Sequence, residues 1–323
     1  MFISILFFIL GFIFLVKGAD ILVEGSSAIA KKFGISNLVI GLTIVAFGTS
    51  APELIVSAIA AWDESTGIAL GNIIGSNISN TLLILGTSAV ITPLVVKKST
   101  VSKEIPLSLL AILAVAFLVN DQLIDGTAGS FLTRIDGFIL ILFFSIFIYY
   151  TFGISKIHSS LVEELKEEKV KKHKTWSSVA MIFTGLVCLY FGGRWIVDSA
   201  IFFATSFGLS EEFIGLTIVA IGTSLPELAA SAMAAYRKHT DIAVGNVIGS
   251  NIFNLFWVLG VSSIINPISY NPILNTDIII LFLSTILVLF AVFFGSKSTI
   301  GKWEGASLLG VYACYVVFLI IRG

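Results

Sequence analysis

"FGISNLVIGLTIVAFGTSAPEL" at 33–54 and "FGLSEEFIGLTIVAIGTSLPEL" at 207–228 are one pattern written twice, 174 positions apart. The same offset places "GNIIGSNISN" at 71–80 on "GNVIGSNIFN" at 245–254 without a gap. From Phe33 to Pro93, 36 of the 61 positions are identical to their partners 174 residues on. Chance does not produce such a run. The chain is a duplication, and each copy carries a glutamate, Glu53 or Glu227, inside an otherwise apolar stretch.

The composition says where the copies reside. Of 323 residues, 57% are hydrophobic and 12% charged, and the mean hydropathy is +1.03. A soluble domain carries about 25% charged residues, so this chain belongs in a bilayer. A net charge of −1 gives no electrostatic footprint for nucleic acid. Cys188 and Cys314 sit in apolar runs and read as small hydrophobic side chains, not as a disulfide framework. The first apolar run has neither a basic leader nor a small-residue cleavage site, so it reads as a membrane span.

A transmembrane helix needs about 20 mostly apolar residues. Ten candidates satisfy this, near 2–23, 36–61, 67–91, 104–120, 135–153, 177–198, 211–236, 242–265, 277–294 and 304–321. The short alternating segments of a barrel are absent, so the expected class is all-α integral membrane. "KIHSSLVEELKEEKVKKHK" at 156–174 is dense in both charge signs and reads as a solvated linker. The expected organisation is a first five-helix repeat at 1–155, a charged linker at 156–175 and a second repeat at 176–323. Five is odd, so the second repeat enters the membrane upside down. Inverted repeats of this kind build secondary transporters, with sites near the midplane on interrupted helices.

Lys31 and Lys32, then Lys97, Lys98 and Lys103, then the linker, then Arg237 and Lys238, then Lys297 and Lys302 all come after odd-numbered spans. The positive-inside rule puts both termini outside and the linker in the cytoplasm of a multi-pass cell-membrane protein. Trp62, Trp176 and Trp303 are expected as interfacial anchors. Lys17, Asp20, Glu24, Arg194 and Asp198 are expected to snorkel to the interface.

The "GTSxPE" motif supplies the interruption. Pro52 has no N–H, and its ring clashes with the carbonyl of Gly48. The helix is expected to loosen over Ala46–Ser50, and Gly222, Pro226 and Ala220 repeat the arrangement. Thr49, Glu53 and Ser57 share a helix face, as do Asn72, Ser76 and Asn80, and Asn246, Ser250 and Asn254. The spaced glycines of "GNIIG" and "GNVIG" let helices approach closely. Asn72 and Asn246 fit both a helix cross-link and a pocket wall, while Asn77 and Asn251 fall off the Asn80 face and read as structural. Spans 2, 3, 7 and 8 then surround carboxylate, hydroxyl, amide and carbonyl oxygens, the set hard cations prefer. No Lys or Arg lies inside these four spans, so two buried carboxylates require cations or protons as partners. No nucleophile–base pair or His-based metal ligation points to an enzyme.

These motifs resemble the cation/Ca²⁺ exchanger superfamily, specifically its sodium/calcium exchanger branch, over nearly the whole chain. The resemblance implies an antiporter that exchanges Ca²⁺ for Na⁺ by alternating access, with no cofactor and with a single chain sufficient. It also implies that Glu53 and Glu227 are the central ion ligands. Thr49, Ser50, Thr223, Ser224, Ser76, Ser250, Asn80 and Asn254 would line the pocket, with main-chain oxygens from Ala46 and Ala220. K⁺-transporting members carry an aspartate where Asn80 and Asn254 stand, so K⁺-independent and electrogenic transport is expected. H⁺/Ca²⁺ exchange, or exchange of another divalent cation, is the alternative.

Overall fold

The computed structural model describes residues 2–63, 66–126, 129–158, 174–206, 220–294 and 298–322. Its long helices are α1 (Phe2–Phe33), α2 (Asn37–Thr49), α3 (Ala51–Trp62), α4 (Thr66–Ser79, running on to Ile91), α5 (Thr100–Leu118) and α6 (Arg134–His158). The second copy comprises α7 (Thr175–Ser206), α8 (Ala220–Thr223), α9 (Leu225–Tyr236), α10 (Thr240–Ile265), α11 (Asn275–Phe294) and α12 (Lys302–Arg322). Among the described residues, eight helices are long and apolar enough to cross a membrane; α2 and α3, bent by 46° at the break between them, make nine if the pair is one span. The expected span near 211–236 begins outside the described residues, as does the linker from 159 to 173. The chain is an all-helical membrane protein.

α1 runs ten residues past its expected end at 23, because no proline intervenes before Gly34 (φ +63°) ends it. Asp20 and Glu24 therefore lie inside the helix. Arg237, just beyond α9, holds both: its Nη2 is 2.5 Å from Asp20 Oδ1, and its Nη1 is 3.2 Å from Glu24 Oε2. Arg194 and Asp198 do face outward, 3.7 Å apart. Trp62, Trp176 and Trp303 are all exposed.

α4 and α10 form the centre. Of the most apolar stretch of each, 78% is buried, against 17–39% in the other single-helix spans. The outer helices turn Phe12, Leu142, Leu283 and Phe290 outward, as a lipid-facing surface requires. Around this centre the two copies interlock reciprocally. α6 of the first copy packs on the end of α10, and α12 of the second packs on the end of α4. The strand Leu94–Val95 (β1) pairs with Thr299–Ile300 (β4), and Phe131–Leu132 (β2) pairs with Ile268–Ser269 (β3), each pair joining one copy to the other.

α1 and α7 pack along their length as a pair, with backbones in near contact. A Cβ on Gly18 would stand 2.7 Å from Cys188 Cβ and 2.9 Å from the Gly185 carbonyl, and a Cβ on Gly185 would stand 2.8 Å from the Gly18 carbonyl. Small residues hold helices together in lipid, where burial of apolar surface gives no net drive. Gly18→Val is accordingly expected to lower the thermal midpoint of the detergent-solubilised protein, since overpacking costs about 1–3 kcal/mol. An unchanged midpoint would show that the pair does not depend on this contact.

Candidate functional site

The break in the second span falls at Ser50 (φ −83°, ψ 8°), where α2 ends and α3 begins with Pro52 in its first turn. Ser224 (φ −86°, ψ 4°) separates α8 from α9 in the same way, with Pro226 in the first turn. Each proline sits where a missing N–H costs least, at a helix start. Glu53 and Glu227 come next, in the first turn of α3 and α9, near the positive ends of those helix dipoles. Both are buried, 1% and 0% exposed, and within electrostatic reach of each other.

The expected loosening over Ala46–Ser50 is found only at Ser50, and a second irregularity lies upstream of it. Gly41–Val45 forms a π-helical turn, and Ala46–Thr49 returns to α-helix. The Ala46 carbonyl accepts the Ser50 N–H at 3.0 Å, so the break does not strip it of its donor. Ala220 opens α8 at the equivalent place. Two further π-helical turns start at or beside the amides, Asn80–Ile84 within α4 and Phe253–Val258 within α10. A π turn adds a residue to the helix and so rotates the N-terminal portion about the axis relative to the C-terminal portion.

The four elements are tied across the copies by matched hydrogen bonds. Thr49 Oγ1 donates to Asn246 Oδ1 at 3.2 Å, and Thr223 Oγ1 donates to Asn72 Oδ1 at 3.4 Å. Asn72 Nδ2 donates to Ser57 Oγ at 3.1 Å, and Asn246 Nδ2 donates to Ser231 Oγ at 2.9 Å. Of the two sequence readings of Asn72 and Asn246, the cross-link is what the geometry displays. Close approach accompanies the glycines in the second copy: a Cβ on Gly245 would lie 2.7 Å from the Leu38 carbonyl, and one on Gly249 2.7 Å from Leu42 Cα.

What is left over is more informative. Among the described residues, Glu53 Oε2, Glu227 Oε2, Ser76 Oγ, Ser250 Oγ, Asn80 Oδ1 and Asn254 Oδ1 are buried without a hydrogen-bond partner, and so is Ser224 Oγ. The first six form three pairs, each related by the 174-residue offset. Ser88 and Ser262 make a fourth such pair, further along α4 and α10, and other unpartnered atoms, Trp257 Nε1 among them, have no such match. A buried polar atom without a partner costs about 1–3 kcal/mol, more when charged, and native interiors keep few of them. The first three pairs fall on residues that the sequence nominates as ion ligands, and they are matched by the duplication.

Comparison with known proteins decides the family. The sodium/calcium exchanger protein family matches residues 3–153 and 177–321. The chain belongs to it. The putative antiporter CaxA of Alkalimonas amylolytica is 37% identical over 321 residues, 99% of each chain. The sodium/calcium exchanger MaX1 of Methanosarcina acetivorans is 33% identical over 348 residues, 98% of each. A structure of the sodium-calcium exchanger NCX_Mj, soaked with 10 mM Na⁺ and 10 mM Sr²⁺, superposes with a TM-score of 0.81 at 35% identity, covering 97% of both chains. The Ca²⁺/H⁺ antiporter ChaA of Bacillus subtilis is more distant, 27% identical over 86% of this chain and 82% of its own.

The match between the copies is not complete at the carboxylates. Ser50 Oγ donates to Glu227 Oε1 at 2.8 Å, whereas the equivalent Ser224 hydroxyl has no partner among the described residues. In choline buffer without Na⁺ or Ca²⁺, Ser50→Ala is expected to lower the thermal midpoint more than Ser224→Ala, since only the first removes a donor from a buried acid, worth about 1.5–3 kcal/mol. Equal shifts would show that the two serines do the same work.

Proposed function

We propose that the protein is a secondary antiporter that moves Ca²⁺ against Na⁺ by alternating access, independently of K⁺. One observation carries this reading: three symmetry-matched pairs of buried oxygens, on Glu53 and Glu227, Ser76 and Ser250, Asn80 and Asn254, lack any donor among the described residues. In this reading the two glutamates are the ligands shared between ions. Thr49, Ser50, Thr223 and Ser224 add hydroxyl oxygens beside the helix breaks, and Ala46 and Ala220 add carbonyls. Hard cations take such oxygen sets, and no lysine or arginine within the four spans competes for the carboxylates.

The proposed architecture is ten spans in two inverted repeats, at 1–155 and 176–323. The linker at 156–175 would be cytoplasmic, both termini outside, and one chain sufficient. The reciprocal packing and strand pairing of the two copies support it. Charge arithmetic gives the electrical character. Two carboxylates are neutralised by one Ca²⁺, whereas three Na⁺ leave +1, so the two loaded forms differ in charge. Moving one charge across a membrane is worth about 2.3 kcal/mol per 100 mV, so exchange would respond to potential.

Coupling to Na⁺ requires Na⁺ and Ca²⁺ to compete for overlapping oxygens, because binding both together would dissipate the gradient. Purified protein in vesicles loaded with Na⁺ is expected to take up ⁴⁵Ca²⁺, faster with an inside-positive potential, and vesicles loaded with choline at acid interior pH are not. Uptake driven by the proton gradient alone would transfer the protein to H⁺/Ca²⁺ exchange and make both glutamates proton carriers. Glu53→Gln and Glu227→Gln are each expected to abolish exchange while the protein still elutes as a folded species. Retained transport in either variant would remove that glutamate from the site.

A further inference from the structure

Asn77 and Asn251 lie three residues before Asn80 and Asn254, off the face that carries the unpartnered oxygens. Sequence spacing alone makes them structural. Their hydrogen bonds point to something more specific. Asn254 Nδ2 donates to Asn77 Oδ1 at 3.0 Å, and Asn80 Nδ2 donates to Asn251 Oδ1 at 3.1 Å. Each bond crosses from one copy to the other, and each is the image of its partner under the 174-residue offset.

A primary amide is nearly symmetric in shape but opposite in polarity at its two ends. Left to itself, a buried asparagine can present either an oxygen or an N–H group to a neighbouring ion. Only the first binds a cation. Here the ambiguity is removed by a directed chain of donors. Asn77 Nδ2 donates to the Asn251 main-chain carbonyl at 3.2 Å, an atom that can only accept. Asn77 must therefore turn its own oxygen toward Asn254. Asn251 Nδ2 donates to Thr81 Oγ1 at 2.9 Å, and the Thr81 proton goes on to the Asn77 carbonyl at 2.8 Å. Asn251 must in turn present its oxygen to Asn80. Flipping Asn77 sets like against like at both ends of the amide; flipping Asn251 sets N–H against N–H at Asn80 and draws the Thr81 proton away from the Asn77 main-chain carbonyl. All five residues are buried. The chain ends on Asn80 Oδ1 and Asn254 Oδ1, the two amide oxygens without a donor.

We propose that Asn77 and Asn251 are positioning residues for the ion site: by accepting from Asn254 and Asn80, they hold those residues' amide oxygens, not their N–H groups, toward the transported cation. The inference rests on the ion site proposed above. It assigns to each ligand-bearing amide a partner on the opposite copy, so neither repeat orients its own amide oxygen.

The test is a Ca²⁺ titration of thermal stability on the purified full-length chain in choline buffer, which reads an apparent Kd because a ligand stabilises the form that binds it. Asn77→Ala is expected to weaken apparent Ca²⁺ affinity about 10- to 100-fold, the usual cost of losing a group that orients a metal ligand. In an Asn254→Ala background the same substitution is expected to weaken it no further, since a residue acting through Asn254 has nothing left to orient. Asn251→Ala, alone and with Asn80→Ala, repeats the cycle from the other copy and serves if Asn77→Ala does not fold. Unchanged affinity in the single variants would overturn the proposal. So would equal losses with and without the partner asparagine, which would mark a general structural role. If the unsubstituted chain gained no stability from Ca²⁺, the ion site itself would fall and this inference with it. Stabilised parent protein with an indifferent Asn77→Ala variant would overturn the positioning role alone.

Discussion

Two buried acids in the bundle interior, with no basic side chain in the four spans that carry the proposed site, are the constraint on which the rest of this structure depends. A buried, ionised carboxylate without compensation costs several kcal/mol. Neutralisation by a fixed lysine or arginine would close the site permanently. The chain instead surrounds Glu53 and Glu227 with oxygens and places each at the start of a helix, where the dipole offsets part of the cost. In the proposed function, compensation is left to something mobile and positive. That choice explains the serines and asparagines, which would otherwise only burden a membrane-embedded core.

Duplication turns the constraint into geometry. Each copy supplies half of what the other needs: Thr49 bonds Asn246 and Thr223 bonds Asn72, while Asn80 and Asn254 are turned by Asn251 and Asn77. A single copy would hold a broken helix and a row of misdirected amides. The outer helices and short strands exchange between copies in the same reciprocal way. Departures from the pattern are correspondingly informative. Thr81 receives the Asn251 amide, but its counterpart is Leu255, and Ser50 serves Glu227 with no matching bond from Ser224. The two glutamates are alike in sequence context and different in surroundings.

The duplication, the membrane class, the proline breaks and the oxygen-bearing faces were legible in the sequence because each stems from periodicity or backbone sterics. The π-helical turns at Asn80 and Phe253 were not. A single added residue per turn leaves no mark in composition, yet it reorients the site relative to the rest of the helix. The Arg237 clamp on Asp20 and Glu24 was missed for a related reason: it joins residues more than 200 positions apart, and spacing along one helix says nothing of that. Asn77 and Asn251 show the limit most clearly. Helix-face reasoning places them away from the proposed site, and only the cross-copy hydrogen bonds reveal whom they serve. Their appearance at matching positions in both copies was the available signal.

The proposed site combines two kinds of support. The amides of Asn80 and Asn254, on α4 and α10, are pinned by hydrogen bonds between copies, in the most deeply buried helices of the bundle. The oxygens on the other two spans stand beside breaks at Ser50 and Ser224, where the helix has already surrendered its continuity. A cation can shift a conformational equilibrium only by its difference in affinity between states. Pinned oxygens offer nearly the same contact in every state, whereas oxygens beside a break can be drawn in or released. On this division of labour, α4 and α10 define what is bound, and the broken spans convert binding into movement. The proline that disrupts the helix and the glutamate beside it are then two parts of one device: the first frees the joint, and the second gives the ion something to pull.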